Sequence, residues 1–461
     1  MLVTKLEKLL GLEVYVTGSL GVGGVIREYV EDFVVEEVLV DGSKAEIDAS
    51  EDHFRQKVLG SSTSRNRYIM CVLVKRNWDT FLTLRWVAKE LGISTRAIHI
   101  AGIKDAKAVT AQHITIEGVS AEEARKAKVE DVEIRPIGYF HSKLSSYYLL
   151  ANHFQVTIRA ISHSESGIKK RIKQTVAEFN AAGGAPNFFG HQRFGTKRPV
   201  THLVGKALVQ GDVRNAAMLF LAKPSLYEHA ESRWAREKLQ KTRDFKQALK
   251  HFPKQLFFER LMLERLARKP RDFVGAFRRL PARLRRLFPQ AYQACLFNKF
   301  LSRRIKAELP LNKTSVGDYV LSIDRSGLAM RKMHSIVSLE KVAEIDKLIR
   351  TGRMRLALPL VGFKKHLSKG AQGEIEKHTL REEGICRENF KIEAMPEISL
   401  IGGFRCALVP LESFLLEEVS EDSFNPPKRK AEISFTLNRG SYATVILREF
   451  MKPRDVIEAG F

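Results

Sequence analysis

Between Lys206 and Gln290 this 461-residue sequence loses the strand patterns that mark the part before it, and they return only near Thr314 to Met330. A chain of this length holds two or three domains. Two sheet-forming blocks on either side of a helical block predict one α+β domain interrupted by a second, inserted one. The expected division is residues 1–208 and 399–461 for the sheet domain, with 209–398 as a basic, partly helical insertion.

The first block alternates in kind. Val25 to Val40, VIREYVEDFVVEEVLV, is β-rich with polar interruptions and reads as a partly exposed strand, with Arg27 and Tyr29 on one face. Arg67 to Lys75 reads as a buried strand. Thr80 to Leu91 reads as a helix with Phe81, Leu84, Val87 and Leu91 on its apolar side. AGIKDAKAVTAQHITI, Ala101 to Ile116, ends in a strand, and Phe154 to Ile161 is another. A helix from Ile168 to Ala182 stops at Gly183, Gly184 and Pro186. In the middle, Ala216 to Ala222 fits a buried helix, and Pro281 and Pro289 are expected to break the segment that follows. AEISFTLNRGSYATVILREFMK, near the end, alternates as a strand and then becomes helical. SEDSFNPPKRKAEI before it reads as an exposed loop, and its Lys428-Arg429-Lys430 is a weak localisation signal.

Charge narrows the function. Lys and Arg number 77 against 53 Asp and Glu, a net charge of +24 and a pI near 9.8. Such an excess attracts a polyanion before any specific contact forms. Residues 206–290 hold 21 Lys and Arg against 8 Asp and Glu. A solvated helix face normally interleaves both signs; this one does not, so nucleic acid is the expected partner. No stretch approaches the ~18 apolar residues of a membrane span, and no cleavable leader is apparent, so the expected setting is the cytoplasm. Cys71, Cys295, Cys386 and Cys406 sit at no metal-ligand spacing and read as buried thiols. Thirteen histidines are scattered, so no metal is expected. GSLGVGG, Gly18 to Gly24, lacks the GK[ST] ending of a phosphate loop and precedes a strand-like segment, whereas a dinucleotide fingerprint must open a helix. No nucleophile elbow anchors a hydrolase triad.

Three segments remain. Asp105 stands alone between Lys104 and Lys107, which suits either a solvated turn or a nucleophile kept ionised by its neighbours. NFFGHQRFG, Asn187 to Gly195, sets three phenylalanines beside Gln192 and Arg193; this is either a buried turn or a grip on an unstacked base. GVIREYVEDFVVEE places Arg27 ahead of Glu31 and Asp32, and by itself reads as an exposed edge strand.

Together these residues resemble a family. AGIKDAKAVTAQ is similar to the segment around the catalytic aspartate of TruD-type pseudouridine synthases, PNFFGHQRFG to their second motif and VEDFVVEE to their N-terminal one. LFN at Leu296 to Asn298, LPLVG at Leu358 to Gly362 and GSYATVILRE at Gly440 to Glu449 follow in order. RPVTHLVGKAL resembles the archaeal and eukaryotic branch. The resemblance implies a pseudouridine-synthase sheet interrupted by a family-specific insertion, with RNA in the cleft between. It implies isomerisation of uridine in tRNA, typically at position thirteen; as that reaction oxidises, reduces and hydrolyses nothing, no cofactor is expected, and the expected state is a monomer.

By the same resemblance Asp105 is the catalytic carboxylate, as a nucleophile or as the base that removes a ribose proton. Burial would raise its pKa and a nearby cation would oppose that. The family's cation is a lysine; here the matching position is Arg27, with Lys104 a competing candidate. Phe189 matches the aromatic that stacks on the target uracil, and Asn187 a residue that lines the pocket and bonds the substrate or the turn. Phe33 is expected to pack beneath the site and Gln112 to orient the Asp105 loop. Arg193 is expected to contact a phosphate or brace its loop. His191 receives no role, and Arg448 with Glu449 reads as a structural pair. His141 to Phe154 lacks a glycine and some basic residues of the family pattern, and Asn438-Arg439 replaces a Leu-Pro-like pair. The alternatives are a non-catalytic RNA-binding protein, in which an aspartate beside phosphates would only cost affinity, and a methyltransferase, which should carry a glycine-rich cofactor loop.

Overall fold

The computed structural model describes residues 3–48 and 58–461. Its strands are β1 (Phe33–Leu39), β2 (Tyr68–Arg76), β3 (Ile98–Ile100), β4 (Val109–Glu117), β5 (Val132–Phe140), β6 (Leu149–Ile161), β7 (Ala185–Pro186), β8 (Tyr319–Ile323), β9 (Ala329–Ile336), β10 (Met354–Leu360), β11 (Gly403–Cys406), β12 (Leu408–Val409), β13 (Glu412–Glu421) and β14 (Arg429–Asn438). An eight-stranded sheet runs in the order β13-β14-β6-β1-β4-β2-β5, with β3 also on β4. Strands from both ends of the chain therefore share one sheet. The only parallel pairing among the described strands is β1 with β4, in the register Val34 to Val109. A second, four-stranded sheet, β11-β10-β8-β9, and a short β12–β7 ribbon complete the strand pairing.

β1 lies between β6 and β4, so it is central and almost wholly buried rather than a partly exposed edge strand. Nor does it reach back to Arg27. Val30–Asp32 is a 3₁₀ turn, fixed by the Asp32 carboxylate accepting from the Tyr29 N–H, so strand alternation does not relate Arg27 to Tyr29. The helix Thr80–Glu90 is capped by Asp79 and buries Leu84, Val87 and Ala88, with Leu91 packed beside them. Phe81, assigned to that stripe from sequence, is half exposed: in the first turn it is Thr80 and Thr83 that face the core. The helix Glu165–Ala182 ends where Gly183 turns left-handed at φ 81°, a conformation glycine adopts without penalty.

From Thr201 to Lys306 the chain is helical. Pro289 does not break it. The helix Ala282–Lys306 runs straight through that residue, with Pro281 at its N-cap. A proline inside a helix costs about 3 kcal/mol. Here Phe288, Tyr292, Leu296, Phe297, Phe300 and Leu301 are all buried along the same helix in the largest core, and burying each such side chain contributes about 1.5–3 kcal/mol. Gly205, on the helix Thr201–Val209, seats against this helix so tightly that a Cβ would lie 2.0 Å from the Phe288 carbonyl oxygen.

Three smaller expectations need correction. Cys386 is exposed, while Cys71, Cys295 and Cys406 are buried. Arg429 and Lys430 belong to β14 rather than to a loop, and Asp422 in the preceding turn is buried, bonded to Arg159 and to the Ala160 N–H. Part of the basic charge of the helical block is internal: Arg236 is buried between Glu228 and Glu259. Among the described residues no helix is long and apolar enough to cross a membrane.

Gly205→Ala tests the helix seat. Alanine would improve helix propensity by about 1 kcal/mol, yet overpacking is expected to dominate and to leave the variant roughly 1–3 kcal/mol less stable. Thermal unfolding followed by circular dichroism measures the sign.

Candidate active site

The parallel register of β1 and β4 brings Arg27 and Asp105 together. Both lie in segments that lead into paired strands, so both arrive at the same end of the sheet. Arg27 Nη2 is 3.1 Å from Asp105 Oδ1. The guanidinium lies over the Phe33 ring at 3.9 Å, and Nη1 approaches the Gly460 carbonyl at 3.5 Å. Phe33 is fully buried beneath it. Arg27 is buried, which pushes its pKa down, and the neighbouring Asp105 carboxylate works against that shift. The Asp105 side chain is 33 % exposed, so its carboxylate is held from one side and open on another.

Arg27 adopts φ 59°, a left-handed backbone that costs a non-glycine residue about 1–3 kcal/mol. The flanking chain over-determines it. Val25 and Arg159 exchange backbone hydrogen bonds of 2.9 and 2.8 Å, and Ile26 donates to the Ala459 carbonyl at 3.0 Å. Gly460, at φ 88°, comes so close to Ile26 that a Cβ would lie 1.9 Å from its carbonyl oxygen. The strained arginine is thus clamped between β6 and residues 459–460.

The loop that carries Asp105 is anchored from below. Thr80 Oγ1 bonds both the N–H and the C=O of Lys104 at 3.2 Å. Gln112 Nε2 donates to the Gly102 carbonyl at 3.2 Å. Lys75 Nζ donates to the Asp105 carbonyl at 2.6 Å. Lys104 does not face the aspartate. Its ammonium is buried and pairs with Glu37 at 2.7 Å and Asn152 at 2.7 Å. Burial alone would raise the Glu37 carboxyl, but Lys104 and His113 outweigh it and hold the group below the usual carboxylate range.

The second cluster forms a cavity of about 360 Å³ whose walls include Phe189, Arg193, Arg355, Arg405, Arg439 and Tyr442. Phe189 follows β7 and packs against Phe297 and Tyr442, with the Arg405 guanidinium 4.2 Å over its ring. Its peptide is gripped on both sides by Asn298, which accepts from the Phe189 N–H at 2.8 Å and donates to its C=O at 3.0 Å. Asn187 is engaged internally, donating to the Cys406 carbonyl and accepting from Arg405. Phe188 and Phe194 are core residues. Arg193 reaches Gln290 at 3.4 Å. His191 is buried without a hydrogen-bond partner for either ring nitrogen among the described residues, and burial pushes its pKa down to about 4. Arg448 pairs with Glu449 and more closely with Glu7.

Of the residues singled out from sequence, Arg27, Phe33 and Asp105 therefore meet, Lys104 and Gln112 support the loop, and Asn187, Phe189 and Arg193 surround the cavity. Two links bridge the clusters. Gly460 touches Arg27 while the adjacent Phe461 ring packs on His191 at 5.8 Å. Arg439 on the cavity wall donates its backbone N–H to Leu150 of β6, two residues before the Asn152 that holds Lys104. Lys75, Asn298, Arg405 and Gly460 were not identified from sequence. Lys75 carried no distinctive signal, as a lysine that ends the apolar run YIMCVLVK just before Arg76. Asn298 was quoted only as part of an ordered motif. Among the described residues no group of three or more His, Cys, Asp or Glu could hold a metal.

The family described as TruD, tRNA pseudouridine synthase D, matches residues 9–450. A Methanosarcina mazei protein named "Probable tRNA pseudouridine synthase D" is 38 % identical over 98 % of both chains, and one of the same name from Methanosarcina acetivorans is 39 % identical over 98 % of both. A solved TruD structure from Methanosarcina mazei superposes with a TM-score of 0.82 at 38 % identity, covering 98 % of this chain and 99 % of that one.

The buried Lys104–Glu37 pair yields a stability prediction. Glu37→Gln leaves an uncompensated ammonium and should cost about 3–5 kcal/mol, whereas Glu37→Gln combined with Lys104→Met should recover part of the loss. Denaturant unfolding of the three variants against wild type measures it.

Proposed function

Because this chain belongs to the TruD family and so is an isomerase that forms pseudouridine in tRNA, we propose that it acts on uridine thirteen, with Asp105 as the key catalytic residue. The observation that carries this reading is the 3.1 Å ion pair with Arg27, which holds a partly open carboxylate at one end of the sheet. The reaction breaks the N1–C1′ bond, turns the uracil and joins C5 to C1′; the C5 proton is lost and N1 gains one. Nothing is oxidised or hydrolysed, so the chemistry calls for a carboxylate, a dry pocket and a hold on the detached base. Asp105 acts ionised, whether it attacks the nucleoside or removes a ribose proton. Arg27 pairs with that carboxylate and, unlike lysine, keeps its own charge when buried.

The target nucleotide leaves its helix, at a cost of a few kcal/mol. Its base stacks on Phe189, which returns roughly 1–3 kcal/mol. Asn187 shapes that pocket through Arg405 rather than reading the base. Arg193 meets a phosphate at the cavity mouth. Phe33, Lys104 and Gln112 position the two catalytic groups. The exposed part of the basic helical block lies along the RNA. The sheet domain comprises residues 1–208 and 399–461, with 209–398 inserted; β11 lies just past that boundary in the smaller sheet. The protein works as a cytoplasmic monomer.

Release of tritium from C5-labelled uridine in tRNA tests the reading. Asp105→Asn should abolish release while tRNA affinity stays within about tenfold of wild type. Phe189→Ala should slow the reaction by roughly 10- to 100-fold, in line with the loss of one base stack. Tight tRNA binding without release, in wild type and Asp105→Asn alike, would favour the non-catalytic alternative. Sequencing of pseudouridines in tRNA with and without the protein checks position thirteen. Affinity should fall steeply with added salt.

A further inference from the structure

Lys75 lies at the end of β2, in register with Thr110 of β4, and is fully buried. Its ammonium makes one hydrogen bond among the described residues, 2.6 Å to the Asp105 carbonyl oxygen. Burying an ammonium against a single neutral acceptor is unfavourable. Strand packing does not require it, because Ile69, Cys71 and Leu73, which share its face of the strand, are apolar core residues. The position therefore carries a cost that its contact with the catalytic loop must explain.

We propose that Lys75 is a positioning residue for the isomerisation, fixing the peptide from which the Asp105 carboxylate projects and adding a second positive charge beside it. This rests on Asp105 being the catalytic group. β4 has β2 on one side and β1 on the other, so Lys75 and Arg27 approach the Asp105 loop from opposite sides of the strand it leads into. The groups acting on Lys75 are burial, which disfavours its charge most, Asp105 and Asp79, which favour it, and Lys104, which opposes it. Together they bring its pKa down to about 8. The ammonium is therefore intact at neutral pH and is lost as pH rises through that value.

The test is single-turnover tritium release across pH in wild type, Lys75→Met, Lys75→Arg and Asp105→Asn, with tRNA affinity and thermal unfolding measured on each. Wild type should lose rate above about pH 8, where the lysine deprotonates. Lys75→Arg should keep its rate to a pH at least about one unit higher, because arginine stays protonated. Lys75→Met should lose about 10²-fold in rate with tRNA affinity unchanged, the cost of a misplaced reacting group. A wild-type rate flat from about pH 7 to about pH 9 would overturn the proposal. So would an alkaline limb unmoved in Lys75→Arg, or a folded Lys75→Met within about threefold of wild type while Asp105→Asn is dead. Should Lys75→Met fail to fold, the wild-type profile and Lys75→Arg still decide. Turnover by Asp105→Asn would instead sink the parent reading.

Discussion

One parallel strand pairing in an otherwise antiparallel sheet organises the site. Antiparallel neighbours send the segments before their strands to opposite ends of a sheet; parallel neighbours send them to the same end. β1 and β4 are parallel, so the residues that precede each converge, and a cation and a carboxylate 78 residues apart reach hydrogen-bonding distance. β6 lies antiparallel to β1 and provides Arg159, which holds the cation's segment in place, and Asn152, which holds Lys104. The Arg27 contact follows from that arrangement, while the Asp105 loop takes its other anchors from Thr80 of the neighbouring helix, Lys75 of β2 and Gln112 of β4.

What could be read beforehand follows the same division between local and non-local. β2, β4, β6, the glycine-stopped helix and the closing strand and helix were legible because period and punctuation are local properties. Asp105, Arg27 and Phe189 were legible because each sits in a short ordered motif. Partner choice was not. Lys104 lies next to Asp105 in sequence, yet its side chain is directed to Glu37, a partner 67 positions earlier in the chain that no local pattern names. Pro289 looked like a break because local propensity favours one; a buried helix of 25 residues overrides it. The expected exposure of β1 failed for the same reason. Polar residues along it are satisfied internally, Glu37 by Lys104 and by the His113 N–H, so polarity did not mark a solvent face.

The basic surplus also divides in two. Arg236, Arg304 and Arg448 are buried and matched to carboxylates, where they hold helices and chain ends together. Removing such a partner strands a charge, so these arginines read as architecture. The remainder stays on the surface and at the cavity, which Arg193, Arg355, Arg405 and Arg439 line together with Phe189. Counting lysines and arginines locates a polyanion-binding protein but overstates how many of them face the polyanion.

The arginine at position 27 fits its surroundings better than a lysine would. Its planar head covers Phe33, one nitrogen meets Asp105 and another approaches Gly460. An ammonium is compact and has no planar face to lay on Phe33 while separate nitrogens reach the two oxygens. Burial pushes the pKa of Arg27 down, but arginine begins so high that its charge survives at any pH where RNA is handled. Lys75, on the other side of β4, has no such reserve. The carboxylate thus sits between one permanent cation and one that can be lost. The permanent one is locked by a strained backbone and a glycine that admits no Cβ, which leaves Lys75 as the titratable member of the pair.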